Sequence, residues 1–320
     1  MQIFHSVEEL PAGFGPSIVT IGNFDGVHCG HQAVIQDMMA RASALHARSV
    51  AVTFDPHPVR VVRPQTPLRL ITPQEQKIDL LTQTGIDAAL VLPFTQALSR
   101  LTAREFARTV LQDALKAIEV HEGENFRFGA DAGADVRALS SLGEEFGFKV
   151  RVHAPTQRRG TVVSSSIVRA AIAMGNMRAA RQLLGRPFEI FSAPAPGRGY
   201  GSRYTVPTIN LAPYKELLPA NGVYTTCLEI NGERFESVTN VGNRPTFGEE
   251  SFAVETHVLD FHPISLDENT QLRLRFLDRI RAEIAWPSPD ALKAQIGKDV
   301  AHARHYFALS HARSRFKPKS

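Results

Sequence analysis

The feature that most limits how this chain can fold is a change of hydrophobic period part-way along it. In the first half, short apolar runs of strand length ("SIVTIGNF", "SVAVTF", "IDAALVLPF", "AIEVHEG", "KVRVHAP") alternate with segments of helical spacing. One of these, "HQAVIQDMMARASALHA", sets Val34, Ile35, Met38, Met39, Ala42 and Leu45 on one helical face. Helix-start signals recur. Thr72 is placed as an N-cap with Pro73 at the first helical position and Glu75 at the third, and Thr102 with Glu105 repeats the capping logic. Gly85 closes the first of these helices. Strand, helix, strand in repetition predicts an α/β domain with a mainly parallel sheet. From Phe188 to about Arg281 the pattern becomes short alternating strands broken by Gly, Pro and Asn: "GVYTTCLEI", "ERFESVTNVG", "FAVETHVLDF", "QLRLRFLDRIR". That spacing predicts a small antiparallel β-barrel. A terminal helix follows, "SPDALKAQIGKDVAHARHYFAL", with Ser288 as cap and Pro289 as first residue. The switch falls at Gly185-Arg186-Pro187, which sets the expected domains at 1–186 and 187–320.

The bulk numbers agree with two soluble domains. A chain of 320 residues is longer than one small core needs. No apolar run approaches the ~20 residues of a membrane helix. The start, "MQIFHSVEELPAG", lacks the basic segment of a signal peptide. Cys29 and Cys227 are the only cysteines, one in each half, and provide neither a disulfide framework nor a metal-ligand set. A reducing cytoplasm is therefore expected. The formal charge of +4 is a mild bias that calls for no nucleic-acid or membrane partner. The basic end "HARSRFKPKS" is expected to be a solvated tail. Oligomeric state is not legible from these features.

The stretch "GNFDGVHCGH", residues 22–31, joins the first strand to the first helix. In an open parallel sheet, ligands bind beyond the carboxyl ends of the strands. Gly22 and Gly26 allow a tight turn and close approach to a ligand. His31 falls in the first helical turn, where free N–H groups and the helix dipole favour an anion. Two imidazoles beside that terminus could donate hydrogen bonds to a phosphate whose charge is growing. The plainer account is that His28 and His31 are loop and cap residues. A zinc site lacks a third ligand nearby at suitable spacing.

The stretch resembles the H-x-G-H signature of the nucleotidyltransferase superfamily, in the form used by prokaryotic bifunctional riboflavin kinase/FAD synthetases. "VTFDPHP" (52–58), "EGENFRFG" (122–129) and "SSSIVR" (164–169) resemble the adenylyltransferase module of that family in the same order. The resemblance implies a Rossmann-like nucleotidyltransferase domain. Gly22, Asn23, Phe24, Asp25 and Asn125 would then contact nucleotide, with His28 and His31 stabilising the transition state. Ser165 and Ser166, at a helix start, would offer hydroxyls and N–H groups to phosphates, and Arg169 a fixed positive fork. A serine-capped helix is the plain alternative. Asp55, His57 and Pro58 would shape the pocket floor.

In the second half, "APGRGYGSRYTVPTIN" (195–210) is not a P-loop, because no Gly-Lys-Ser/Thr follows its glycines. By itself it could be a flexible loop. "PTIN" resembles the Pro-Thr-Ala-Asn signature of riboflavin kinases, and "VTNVGNRPTFG" (238–248) and "VETHVLDF" (254–261) match that family in order. The resemblance implies that Gly197, Gly199 and Gly201 cover ATP phosphates. Thr208 and Asn210 would hold Mg²⁺ with neutral oxygens. Glu255 would take the proton from the ribityl 5′-hydroxyl. Without the resemblance, Glu255 is a strand carboxylate. The loop departs from the family: Ser202-Arg203-Tyr204-Thr205-Val206 follows Gly201 where an arginine and a glycine are usual, and Ile209 replaces alanine. Arg198 or Arg203 could substitute for the arginine.

The implied substrates are ATP, riboflavin and FMN. Three rivals stand beside this reading, two of them enzymes and one a binding protein. A monofunctional FMN adenylyltransferase with a kinase-impaired barrel is favoured by the altered glycine loop. A non-catalytic flavin-sensing protein has no need of His28, His31 and Glu255. A nucleotidyltransferase for nicotinate mononucleotide or pantetheine phosphate has no need of the barrel.

Overall fold

The structure, a computed structural model, describes residues 1–195, 208–244, 251–260, 266–267 and 269–315. The chain divides into two compact units, Met1–Ser165 and Ser166–Ser320.

In the first unit six strands form one sheet: β1 (Gln2–Phe4), β2 (Ser17–Ile21), β3 (Arg48–Asp55), β4 (Ala88–Pro93), β5 (Ala117–Gly123) and β6 (Lys149–His153). Their order is β1-β4-β3-β2-β5-β6, and every pairing is parallel. Helices α1 (Cys29–Ala44), α2 (Pro58–Val62), α3 (Gln74–Thr84), α4 (Gln96–Ser99), α5 (Ala103–Phe106) and α6 (Val136–Phe146) connect them. Both faces of the sheet are apolar, as a parallel sheet requires. Val19, Val50, Val52, Leu90 and Val120 pack with Phe106, Leu111 and Leu139 on one side. On the other, Ile18 and Ala51 meet Ile35, Met38, Leu80 and Leu81. A short hairpin, β7 (Gln157–Arg158) with β8 (Thr161–Val162), follows the sheet.

The strand order reverses at β2. From there the chain runs outward through β3 and β4 on one side, then returns to β5 and β6 on the other. The crevice between the carboxyl ends of β2 and β5 is thus the topological switch point, where open α/β sheets bind ligands.

The expected caps hold with one exception. Thr102 and Glu105 form a full capping box, and Gly85 closes α3 with φ +88°. Ser288 Oγ accepts from Ala291 N at 3.2 Å. At α3, however, Pro73 is the cap residue and no side chain caps it. The hydroxyl of Thr72 accepts from Gly26 N instead, at 3.0 Å. A tertiary partner in the glycine turn won it from the local helix.

The second unit begins inside the first turn of α7 (Ser165–Ala173), continues through α8 (Met177–Leu184), and then turns to strands. These are β9 (Phe188–Ser192), β10 (Pro194–Ala195), β11 (Thr208–Leu211), β12 (Gly222–Ile230), β13 (Glu233–Arg244), β14 (Ser251–Val258) and β15 (Leu272–Ala282), followed by α9 (Pro289–Arg315). The described pairings are antiparallel, in the order β10-β11-β14-β13-β12-β15-β9. Its two edges, β9 and β10, are separated in sequence by Ala193 alone. One bent strand thus pairs with β15 by its first half and β11 by its second. The sheet curls upon itself as a half-barrel, which brings its two short edges together in one bent segment.

The curled sheet buries Tyr224, Leu228, Phe188, Ile190, Leu274 and Phe276. A chain of buried hydroxyls shares this interior: Thr226 to Ser237 (2.8 Å), Thr226 to Thr239 (2.7 Å) and Thr239 to Thr256 (2.9 Å). Mutual hydrogen bonding offsets the desolvation that each hydroxyl would otherwise suffer. On the other face, α9 lays Ala303 and Phe307 against Val223 and Val238. A bidentate pair between Arg281 on β15 and the buried Asp299 fixes that helix.

The unit boundary lies 21 residues before the change of period. Helices α7 and α8 were expected with the first domain, yet α8 contacts β15 and β9. Arg178 on α8 pairs with Asp278 on β15 at 2.5 and 3.1 Å. The apolar stripe Met177, Ala180, Leu183 and Leu184 is buried. Periodicity marks where strands begin, but not which core a preceding helix covers. No described helix is long and apolar enough to cross a membrane.

Candidate active site

In the first unit a cavity of about 900 Å³ opens at the switch point. The turn from β2 into α1 forms one wall. It is strained: Phe24 (φ +47°) and Val27 (φ +37°) are left-handed non-glycine residues, and Gly26 (φ +84°) lies between them. Such outliers cost of order 1–3 kcal/mol each and persist where the surroundings over-determine them. Here Asp25 supplies that constraint. Its buried carboxylate accepts from Ile71 N (2.9 Å) and Thr72 N (3.1 Å), while Gly26 N donates to Thr72.

His28 caps α1. Its Nδ1 accepts from His31 N at 3.3 Å, so in the neutral ring the proton sits on Nε2. The His28 and His31 rings stack, with centroids 3.6 Å apart and planes within 14°. Phe24 meets the His31 ring edge-on at 5.2 Å. Gly30 gives the stack room, because a Cβ there would lie 3.1 Å from His28 ring atoms. The four residues of H-C-G-H thus set two imidazoles side by side at a helix N-terminus. Burial, then the neighbouring His28, holds the His31 imidazole well below its usual pKa. It is neutral near pH 7, and its Nδ1 is buried without a hydrogen-bond partner among the described residues.

The opposite wall comes from β5 and β6. Glu122, at the end of β5, is buried and accepts from Ile21 N at 2.6 Å, tying the two strands that flank the switch point. Burial raises its pKa well above the carboxylate range, against the opposing effect of the Ile21 N–H. Burial thus disfavours a negative charge on Glu122 in this wall. Phe54, Phe94, Phe126 and Phe128 also line the cavity. They contact one another in pairs, Phe54 with Phe94 and Phe126 with Phe128. One part of the cavity is thus apolar and suited to a flat ring, and the other carries the helix terminus and imidazoles.

Most of the expected residues of this unit come together. Gly22, Asn23, Phe24, His28, His31, Asn125 and Ser165 line the cavity. Ser165 Oγ donates to the carbonyl of Asp25 at 3.0 Å, which ties this last residue of the first unit to the turn. Asp25 itself does not line the cavity. Its carboxylate faces the 71–72 backbone, so its support for the turn is indirect. Pro58 lines the cavity, whereas Asp55 and His57 do not, and His57 caps α2. Ser166 and Arg169 lie on α7 within the second unit, Ser166 exposed and Arg169 half-buried.

Three groups escaped the sequence reading. Glu122 stood inside a quoted segment, and a carboxylate ending an apolar strand was its one signal. The four phenylalanines come from three separate segments: Phe54 stands at the end of β3, Phe94 follows β4, and Phe126 and Phe128 share the loop after β5. Lys77, buried on α3, donates to Thr53 Oγ1 (3.1 Å) and Phe54 O (3.2 Å), and Thr53 Oγ1 lies 3.5 Å from the carbonyl of Asn23. Burial lowers its pKa to about 8, with Asp55 and Asp25 opposing that shift.

In the second unit Thr208, Asn210 and Glu255 share one face of two adjacent strands, β11 and β14, and Asn240 on β13 extends it. Asn210 on β11 pairs with Glu255 on β14, which pairs with Asn240 on β13. Thr208 pairs with His257 one step along. All five are half-buried, while Ile209, Leu211, Val254 and Thr256 alternate to the buried interior. Directly paired residues have Cβ atoms about 4.5–5.5 Å apart, so Asn210, Glu255 and Asn240 form a contiguous polar row. Thr208 and Asn210 offer neutral oxygens beside a carboxylate, a donor set that suits a hard divalent cation. Gly197, Gly199 and Gly201, with Arg198 and Arg203, lie outside the described residues.

Comparison with known proteins agrees with both halves. The family model for FAD synthetase matches residues 12–167, and that for riboflavin kinase matches residues 184–307. A bifunctional riboflavin kinase/FMN adenylyltransferase from Pseudomonas fluorescens is 35% identical over 97% of this chain and 99% of its own length. The enzyme of the same name from Escherichia coli K12 is 32% identical over 92% and 93%. A crystal structure named as a macrolide-efflux protein, from Streptococcus pneumoniae, matches with a TM-score of 0.86 and 27% identity, covering 94% of this chain and 98% of that one. With both family models and near-full-length relatives in agreement, the chain belongs to the bifunctional riboflavin kinase/FMN adenylyltransferase family.

Proposed function

We propose that the protein makes flavin nucleotides in two steps. It phosphorylates riboflavin with ATP to give FMN, then transfers AMP from a second ATP to FMN, giving FAD and pyrophosphate. Both family models match, and near-full-length relatives carry both activities in their names, which favours two activities over the monofunctional reading.

The single observation that carries the adenylyl transfer is the stacked His28–His31 pair at the N-terminus of α1, in the wall of the switch-point cavity. A phosphate oxygen of FMN attacks the α-phosphorus of ATP, a new P–O bond forms, and the bond to pyrophosphate breaks. Negative charge grows on the α-phosphate oxygens. His28, whose Nδ1 accepts from His31 N, offers its Nε2–H there, and neutral His31 donates its own N–H. The aromatic wall receives a planar ring, and Asn125 and Ser165 contact nucleotide. Ser166 and Arg169 supply phosphate contacts from α7. Gly22, Asn23 and Phe24 bring backbone close to the ligand, with Asp25 holding their turn.

The kinase step is assigned to the row on β11, β13 and β14. Glu255 accepts the proton of the ribityl 5′-hydroxyl as it attacks the γ-phosphate. Thr208 and Asn210 hold Mg²⁺, which neutralises phosphate charge when bound. Gly197, Gly199 and Gly201 cover the phosphates. We assign adenylyl transfer to residues 1–186 and kinase chemistry to 187–320, with the protein in the cytoplasm and ATP, riboflavin and FMN as its small-molecule partners. One assay tests the reading. The purified protein is given riboflavin, ATP and Mg²⁺, and the flavins are separated by chromatography. FMN and then FAD are expected. FAD from supplied FMN, but no FMN from riboflavin at any Mg²⁺ concentration or with reduced flavin, would leave the monofunctional enzyme.

A further inference from the structure

A second cluster of chemically competent side chains lies on β5, β6 and α1, and the activities above do not use it. His121 on β5, His153 on β6 and Asp37 on α1 each turn one ligand atom toward a common point. His121 Nδ1 is 3.5 Å from Asp37 Oδ2, His153 Nε2 is 3.8 Å from the same oxygen, and the two nitrogens are 3.2 Å apart. Zinc-class ions bind nitrogen and oxygen at about 2.0–2.2 Å, so tetrahedral ligands stand about 3.3 Å from one another. The three edges observed are close to that figure.

The surroundings supply an independent sign of a metal site. His121 Nε2 faces Glu119 Oε2 at 3.4 Å, and Arg41 holds that carboxylate with three contacts of 2.7–3.0 Å. A carboxylate behind an imidazole keeps the proton on the far nitrogen and leaves the near one free to ligate. Asp37 and Arg41 are four residues apart on α1, so one helical face presents both the ligand and the clamp on its outer shell. His121 is fully buried, His153 is one-fifth exposed and Asp37 is nearly half exposed. The site is therefore rigid on its inner side and open to water for a fourth ligand. Arg151 opposes it, with Nη1 3.2 Å from Asp37 Oδ2. That side chain is half exposed and can swing into solvent.

We infer that Asp37, His121 and His153 form a binding site for one divalent transition-metal ion of the zinc class. The ion would clip α1 to the carboxyl ends of β5 and β6. His153 also lines the cavity, and Glu124 N donates to its carbonyl at 3.1 Å. The clip would therefore stiffen the wall that carries Asn125.

The test titrates the full-length, chelator-treated protein with Zn²⁺ and with Co²⁺, reading stoichiometry by metal analysis, coordination by the Co²⁺ visible spectrum, and stability by thermal unfolding. One equivalent is expected, with a four-coordinate cobalt spectrum and a raised Tm. The double variant His121→Ala/His153→Ala should lose the tight equivalent. Asp37→Asn, at a part-exposed position that does not threaten folding, should lose the Tm rise. Glu119→Gln should weaken binding about 10–100-fold. Arg151→Gln should strengthen it, an effect that a purely structural hydrogen-bond cluster would not produce. Binding that survives in the histidine double variant, or a wild type that binds no more tightly than that variant, overturns the proposal.

Discussion

The two candidate sites of this chain are built in opposite ways. The site of the first unit is assembled from turns at strand ends. Its side chains are positioned by a few specific contacts: a cap for His28, a missing Cβ at Gly30, and a buried carboxylate that ties the 22–28 turn to the backbone of residues 71 and 72. The row in the second unit is assembled by strand register alone. Asn210, Glu255 and Asn240 are neighbours because β11, β14 and β13 pair as they do. A turn-built site tolerates little change nearby, because its geometry is stored in few contacts. A register-built site is protected by the whole sheet and fails when a functional side chain itself is changed.

The largest effect should come from Glu255→Gln, which keeps shape but removes proton acceptance. Riboflavin phosphorylation should fall about 100–10,000-fold, while riboflavin still binds and supplied FMN still becomes FAD. The mirror experiment is His28→Ala or His31→Ala. FAD formation should drop about 100–1,000-fold with FMN formation intact. Wild-type FAD formation by His31→Ala would break the assignment of the motif. Loss of both reactions in either variant would break the separation of the two sites.

Gly30→Ala sharpens the contrast between the two constructions. An added Cβ would lie 3.1 Å from the His28 ring, which must give by a few tenths of an ångström, so FAD formation should slow about tenfold, by misplacement alone. An alanine at the exposed Gly232 has no neighbour within 4 Å, although φ is +85°. It should affect stability slightly and neither reaction. Equal activity loss in both variants would remove the case for a turn-built site.

The boundary can be tested with fragments. Residues 166–320 should unfold cooperatively. Residues 187–320, which lack the buried stripe of α8 and its Arg178–Asp278 pair, should melt at least about 5 °C lower, since 1 kcal/mol moves Tm by several degrees at this size. Equal Tm values would place the core boundary at the change of period.

The smallest effect concerns Lys77. Its pKa is about 8 in the folded protein against 10.5 for the free side chain, so the unfolded chain binds the proton more tightly. Stability linked to this group is therefore fully present above 10.5 and is lost as pH falls through about 8. Lys77→Met should flatten that part of the stability–pH curve, measured by denaturant unfolding between pH 7 and 10.5. An unchanged slope would mean that this lysine is not desolvated.

Much of this protein follows from its sequence alone. Period fixes the elements: apolar runs buried on both faces make parallel strands, and alternating runs make the curled antiparallel sheet. The short motif H-C-G-H already contained its own geometry, because His28, Gly30 and His31 interact within one helical turn. Tertiary structure decided what no local pattern encodes. It turned Thr72 away from its helix and toward Gly26, and Asp25 away from the cavity and toward the backbone of residues 71 and 72. It gathered four phenylalanines from three separate segments, gave α7 and α8 to the second unit, and set His121 and His153 beside Asp37 from three elements. The physical reason is the same in each case. Hydrogen bonds and burial across long sequence separations are settled by which strands lie next to each other, and the spacing of residues along the chain carries no record of that choice.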